Sequence, residues 1–187
     1  ADRMPDSVKK MSGAERKKFI LQKLKNSDQP VTGNELAKLT NVSRQVIVQD
    51  ISILRAKNEP IIATSRGYIY VKAEKEQQRK QTTIVCKHSP EETKKELYLI
   101  VDHGVTVKDV TVEHHVYGDL TASLLVSNRK EVDEFVKKIE ETNSSYLLTL
   151  TGGIHLHTLE ADSMEQIQAA CKDLADAGIL IKEELSD

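Results

Sequence analysis

The apolar residues of this chain follow two rhythms, a helical one before residue 72 and a mixed helix-and-strand one after residue 83. In residues 14–26, Phe19, Ile20 and Leu24 gather on one side of the helical period, which predicts an amphipathic helix. Thr32 is followed three positions on by Glu35, then by Leu36, Ala37 and Leu39 as inward residues, the pattern of a short helix opened by a capping box. After Thr40-Asn41-Val42, Ser43 caps a third helix in which Ile47, Ile51 and Leu54 recur at i, i+4 and i+7. Residues 61–64 and 68–71 are strand-like runs flanking Ser65-Arg66-Gly67 and read as a β-hairpin. Three short helices and a hairpin predict a winged helix-turn-helix domain over residues 4–72.

Residues 73–82 are polar, lack core-forming side chains and read as a linker. A strand at 83–87 leads into Ser89-Pro90-Glu91-Glu92, a helix start with Ser at the N-cap and Pro at the first position. That helix is expected to run to His103-Gly104. Strands follow at 105–113 and 120–126, then a helix at 128–141. Two more strands, 147–150 and 154–159, surround a Gly152-Gly153 turn, and a helix at 164–177 closes the pattern. This order predicts an α+β sandwich over residues 83–187, with helices on one face of a sheet.

At 39% hydrophobic, the 187 residues can form packed cores. The longest aliphatic run, Leu97-Tyr98-Leu99-Ile100-Val101, is far short of the ~20 residues that span a bilayer. No apolar segment opens the chain, so the expectation is a cytoplasmic protein with no membrane association. Cys86 and Cys171 form no paired motif and are expected to be buried thiols. The net charge of −2 conceals a split: residues 1–80 hold 17 basic and 9 acidic residues, net +8, and residues 81–187 hold 10 and 20, net −10. A basic helix-turn-helix half points to a polyanionic partner.

In helix-turn-helix geometry the second helix offers its N-terminal residues to the major groove. Here these are Ser43, Arg44 and Gln45, with Gln49 one turn on. Arg can pair bidentately with guanine, Gln can read adenine, and Ser beside a helix N-terminus can hold a phosphate. Arg66 at the hairpin tip would reach the backbone or the minor groove. The aromatics of this half are Phe19, Tyr68 and Tyr70, too few for the stacking platforms of single-strand or RNA readers. Double-stranded operator DNA is therefore the expected partner.

All 6 histidines lie in the second half: His88, His103, His114, His115, His155 and His157. On a strand, His155 and His157 point to one face, about 6–7 Å apart along the chain, and can converge on one metal ion. Leu156 would then turn to the opposite face, towards the core. His88 falls at a strand-to-helix corner, and Glu96 two turns into the next helix, beside Thr93, Leu97 and Ile100. A His₃–Glu set fits Zn, Ni, Fe or Mn without choosing among them. A bare His-x-His is more often a pair of ordinary hydrogen-bonded histidines, and that reading stays open. Gly152-Gly153 lacks the context of a phosphate-binding loop and reads as turning backbone. No HExxH, paired-carboxylate or nucleophile–His–acid arrangement can be placed by spacing, so the chain is not expected to be an enzyme.

The stretch Val42-Ser-Arg-Gln-Val-Ile-Val-Gln-Asp-Ile51, followed by Arg66-Gly67-Tyr68, resembles the winged-helix domain of the biotin-repressor type. Residues 87–92, Val112-Glu113-His114 with Val116-Tyr117-Gly118, and residues 147–158 resemble the three-histidine regulatory domain. Together they cover almost the whole chain and resemble the niacin-responsive repressors of NAD biosynthesis and niacin uptake genes. The resemblance implies a homodimer on operator DNA with nicotinic acid as co-repressor. It also implies one divalent transition metal ion held by the positions of His88, Glu96, His155 and His157. His114 matches a family histidine and is a candidate ligand-site residue. The alternative is a metal-responsive regulator in which the ion itself is the signal.

Overall fold

In the computed structural model, residues 10–72 and 79–181 are described, and the chain divides into two compact units. The first contains α1 (Gly13–Lys25), α2 (Gly33–Thr40), α3 (Arg44–Ala56), β1 (Ile61–Thr64) and β2 (Gly67–Tyr70). Each helix starts on a side-chain cap that accepts an otherwise unpaired amide. Ser12 and Glu15 close a reciprocal box at α1, Thr32 accepts from Glu35 N–H at 3.0 Å, and Ser43 accepts from Val46 N–H at 3.3 Å. Asn41, left-handed at φ 55°, reverses the chain between α2 and α3. Ile20, Leu24, Leu36, Ile47, Ile51 and Leu54 form the core with Val31 and Ile61. Leu39, expected inward, is instead 42% exposed, because the buried stripe of α2 runs through Leu36, Ala37 and Thr40.

Two contacts hold this unit's working parts together. Val31 and Tyr68 exchange backbone hydrogen bonds at 2.9 and 2.8 Å, pinning the hairpin to the segment before α2. Gly67 makes that approach possible: at φ +128° a Cβ there would lie 2.7 Å from the Val31 carbonyl. The second contact is the Asp50 carboxylate of α3, buried at 2% exposure and bracketed by the Arg16 guanidinium of α1 through Nε and, at 3.1 Å, Nη2.

The second unit contains β3 (Lys80–Lys87), a 3-10 turn (Pro90–Glu92), α4 (Thr93–Val101), β4 (Thr106–His114), β5 (Gly118–Val126) and α5 (Arg129–Glu141). A second 3-10 turn (Leu147–Thr151), β6 (Ile154–Ala161) and α6 (Met164–Asp176) complete it. Its strands are antiparallel, β4 pairing with β5 and β6, and β6 with β3. Ile84, Cys86, Val107, Leu124, Val126, Leu159 and Ala161 point from the sheet into one core. Leu97 and Ile100 of α4, Val132 and Val136 of α5, and Ile167, Ala170 and Leu174 of α6 meet them there. The helices therefore cover one face of the sheet, the α+β arrangement expected. Beyond α6, Ile179 and Ile181 exchange backbone hydrogen bonds with Lys87 and Val85, covering part of the outer edge of β3.

Three further expectations need correction. Of the stretch read as a linker, residues 73–78 lie outside the described residues, but Lys80–Thr82 belong to β3, paired with Ala161, Glu160 and Leu159. An edge strand can be polar, since the ladder is made by backbone. Residues 147–150 form a 3-10 turn rather than a strand. Thr149 Oγ1 bonds back to the Tyr146 carbonyl at 2.7 Å and Thr151 Oγ1 to that of Leu148 at 3.3 Å, and such local bonds compete with a ladder. Leu156 faces away from the helices; the core lies on the side of the two histidines. Among the described residues, Cys86 and Cys171 are both free thiols and no helix is long and apolar enough to cross a membrane.

Replacing Arg16 by Met leaves a buried carboxylate with only Lys17, 3.9 Å away, as a cationic partner. The expected cost is about 3–5 kcal/mol of stability, read as a lower urea midpoint, and the double variant Arg16→Met/Asp50→Leu should recover much of it. Equal midpoints for wild type and Arg16→Met contradict this.

Candidate functional site

The second unit's site is built by three elements that each bring one kind of residue to the core. Strand alternation places His155 and His157 of β6 on the inward side with Leu159 and Ala161, and continues Ile84 and Cys86 of β3 into His88 at the corner. The α4 stripe Thr93, Glu96, Leu97 and Ile100 is buried against that side, so Glu96 is carried into the core at 1% exposure. His155 Nε2 lies 2.7 Å from Glu96 Oε2, His157 Nε2 2.8 Å from Oε1, and His88 Nε2 2.9 Å from Oε2. The first two are hydrogen bonds. The third is not aligned for one, so His88 Nε2 is a buried atom without a hydrogen-bond partner. Cys86, paired in register with His155, has its Sγ within 4.8 Å of the Glu96 and His155 donor atoms.

The opposite nitrogen of each ring is fixed by a backbone carbonyl. His88 Nδ1 faces Ser89 O at 2.6 Å, His155 Nδ1 faces Gly153 O at 2.8 Å, and His157 Nδ1 faces Asp109 O at 2.8 Å. A carbonyl only accepts, so each Nδ1 carries the proton and each Nε2 presents its lone pair or a second proton to Glu96. Gly153 does more than turn the chain. Its carbonyl also accepts from His88 N–H at 3.3 Å, and at φ +104° a Cβ there would sit 2.5 Å from the His88 carbonyl oxygen. Asp109 likewise accepts from Thr158 N–H through Oδ1 at 3.0 Å, at the irregular step of β4.

Burial by itself lowers the affinity of His88 and His157 for a proton, but the Glu96 carboxylate outweighs it and holds both imidazoles above their ordinary range. Burial likewise favours protonated Glu96, yet the charge of His157 and the contacts from the three rings hold it well below the usual carboxylate range. Burial, followed by the nearby Glu96 charge, pushes the Cys86 thiol up. Three Nε2 atoms and a carboxylate oxygen suit a divalent transition ion, with the outer Nδ1–H bonds orienting each ring. The unaligned His88 Nε2 fits this donor set, because a ligand lone pair aimed at a carboxylate needs a cation between them.

His114, the fourth histidine expected near a ligand, lies at the β4–β5 turn. Its Nδ1 accepts from Val116 N–H at 3.1 Å and Tyr117 N–H at 3.2 Å, and its ring stacks on His115. It has the opposite tautomer from the cluster histidines and makes no hydrogen bond to them among the described residues. His103 pairs instead with Asp173 at 2.6 Å. A separate cavity of about 580 Å³ lies among Pro90, Lys94, Ile139, Ser144, Tyr146 and Thr149, and none of the cluster side chains lines it. The spacing of His-x-His and the α4 stripe foretold which side chains meet around Glu96. The carbonyl partners at Ser89, Gly153 and Asp109 had no sequence signal, because backbone acceptors are identical at every residue.

In the first unit, Ser43, Arg44, Gln45 and Gln49 are all exposed at the start of α3. The stem and Nε of Arg44 pass over Gly33, 3.5 Å from where a Cβ would be, so a small residue at the start of α2 leaves room for it. Arg66 sits in the two-residue hairpin loop, its backbone N–H bonded to Thr64 Oγ1 at 3.1 Å and its Nη2 3.4 Å from Gln29 Oε1.

Comparison with known proteins agrees with both halves. Residues 16–69 match a family described as an HTH domain, and residues 81–183 one described as the 3H domain. The chain is 59% identical over 175 residues to a protein named transcription repressor NadR from Bacillus subtilis (strain 168), covering 93% of this chain and 97% of that one. It is 43% identical over 169 residues to a protein named probable transcription repressor NiaR from Thermotoga maritima, covering 90% and 95%. These relatives are named as regulators rather than enzymes.

The paired cluster sets a pH window for the chelator-treated protein. Glu96, held low, stabilises the fold above about pH 4.3, and this is lost as pH falls through its folded value. His88 and His157, held high, stabilise it below about pH 6.5, and this is lost as pH rises through theirs. The gap in urea midpoint between wild type and Glu96→Gln should therefore be widest between about pH 4.3 and 6.5 and narrow above it. A gap that grows steadily towards about pH 8 contradicts the pairing.

Proposed function

The chain belongs to the 3H-domain family of helix-turn-helix transcription repressors, and from that premise we propose that it represses genes of NAD biosynthesis and niacin transport, with nicotinic acid as co-repressor bound in a metal-containing second unit. The protein acts in the cytoplasm as a homodimer. Its two α3 helices enter successive major grooves about 34 Å apart on operator DNA. Ser43, Arg44, Gln45 and Gln49 read the groove, and Arg66 contacts the backbone or minor groove from the hairpin. His88, Glu96, His155 and His157 hold one divalent ion, of Ni, Zn, Fe or Mn.

The observation that carries the metal reading is the orientation of the three rings. Carbonyls hold each Nδ1 as a donor and every Nε2 is turned to one buried carboxylate. With protons alone, aligning all three rings as imidazoliums would leave two uncompensated positive charges in the core, a costly arrangement. With neutral rings, three lone pairs would face an anion. A divalent ion satisfies all four groups and supplies an electrophilic position at which an anionic or pyridine-bearing ligand can be recognised. Nicotinic acid offers both kinds of donor.

Co-repression requires that nicotinate bind the DNA-competent state more tightly than the alternative, and operator DNA must then strengthen nicotinate binding by the same factor. Operator affinity of the metal-loaded protein should rise at least about fivefold with nicotinate and show no such rise in His155→Ala/His157→Ala, which should also lose its ion by elemental analysis. Identical affinities with and without nicotinate remove the co-repressor reading, and switching by metal alone would make the ion the signal. Arg44→Ala should weaken specific binding by about 1–3 kcal/mol and relax discrimination at one base pair. Equal losses on specific and non-specific duplex demote Arg44 to a phosphate contact.

A further inference from the structure

Among the described residues, two buried side-chain polar atoms lack a hydrogen-bond partner, His88 Nε2 and Thr93 Oγ1. Both belong to the same corner. Thr93 is 5% exposed and one turn before Glu96 on the buried stripe of α4, a spacing that brings side chains to about 5–6 Å of each other at Cβ. A threonine in a helix ordinarily bonds its hydroxyl to the carbonyl four residues back. Four residues before Thr93, across the 3-10 turn that leads into α4, is Ser89, whose carbonyl already accepts from His88 Nδ1 at 2.6 Å and from Glu92 N–H at 3.1 Å. Both lone pairs of the usual acceptor are thus taken, one of them by the cluster, and the hydroxyl is left buried one turn from Glu96 at a cost that a purely structural residue, such as valine, would not incur.

We propose that Thr93 is an effector-binding residue, whose hydroxyl donates a hydrogen bond to a carboxylate oxygen of a small monocarboxylic acid held at the metal. This rests on the metal reading above and deepens it. The charge balance selects the ligand class. Three neutral imidazoles, one carboxylate and a divalent ion leave a buried net charge of +1, which a monoanion neutralises and a neutral amide does not. A hydroxyl oriented at that oxygen makes a charge-assisted bond, stronger than a neutral one.

Three variants of the full-length protein test this. In chelator, Thr93→Val should be at least as stable as wild type, because it removes an unpartnered hydroxyl at nearly constant shape; a clear loss of stability shows a structural partner and overturns the proposal. In the metal-loaded protein, Thr93→Val should bind nicotinate about tenfold or more weakly, with metal affinity by chelator competition within about twofold. Thr93→Ser should keep most of the nicotinate affinity. The preference for nicotinate over nicotinamide should shrink in Thr93→Val, since only the acid carries the accepting carboxylate. Equal nicotinate affinity in wild type and Thr93→Val overturns the proposal. If wild type binds metal but no nicotinate, the co-repressor reading fails instead. Acetate, followed by its effect on the cobalt(II) spectrum, then decides for Thr93: weaker acetate binding in the variant supports it and equal binding overturns it. Loss of metal from Thr93→Val would make it a scaffold of the ion rather than a contact of the acid.

Discussion

One buried carboxylate, Glu96, governs how the second unit is put together. At 1% exposure among aliphatic neighbours it would be strongly disfavoured as an ion, yet three imidazoles from two separate strand regions turn to it. Its presence explains why the covered face of β6 is the one that carries histidines, and why the leucine between them is left on the other side. It also explains why β3, β6 and α4 must meet at one level: a slip of one residue in the β3–β6 register would turn Cys86 or the histidines to the opposite face. The packing of the helices on the sheet and the chemistry of the site are therefore a single constraint.

Much of this was legible in the chain. The i, i+2 spacing of His155 and His157 depends only on strand periodicity, and Glu96 lies on a stripe with Thr93, Leu97 and Ile100 that any helix would bury together. The helix-turn-helix followed from local signals as well, with Thr32, Asn41 and Ser43 each doing what its own backbone chemistry favours. What failed was decided by particular polar contacts that hydrophobic periodicity does not encode. The direction of Leu156 was inferred from hydrophobicity, which assumes that polar side chains face water, and a satisfied polar cluster reverses that sign. The apolar run at 147–150 reads as a strand, whereas threonine hydroxyls bonding their own backbone make it a 3-10 turn. Asp50 and Arg16 are 34 positions apart, and nothing local marks either as half of a buried pair.

The charge split of the sequence also gains a physical reading. The +8 of the first eighty residues is of the sign that favours a nucleic-acid backbone, through contacts that position without specifying. The −10 of the remainder is the complementary field, one that raises the local concentration of cations rather than of anions. An acidic exterior around a cluster that collects positive charge is consistent with an ion being drawn in before an acid is. The acid would meet an attractive charge only after the ion is in place.

That order bears on how such a site can act as a sensor. Protons and a metal ion compete for the same Nε2 lone pairs, so any ion bound there must displace the protons that the Glu96 charge otherwise attracts, and its affinity rises with pH. A weak acid adds a second dependence of the same kind, because only its anion neutralises the site. On the proposed reading the three species would be linked through one carboxylate, and the state of the site would be set by their joint occupancy rather than by any one of them. On that reading, the site's response to a metabolite would be conditional on the metal, and the imidazole tautomers, fixed by Ser89, Gly153 and Asp109, would be the quiet determinants of regulation. They hold the rings in place without a ligand, so much of the reorganisation that binding would otherwise require has already been made by the fold.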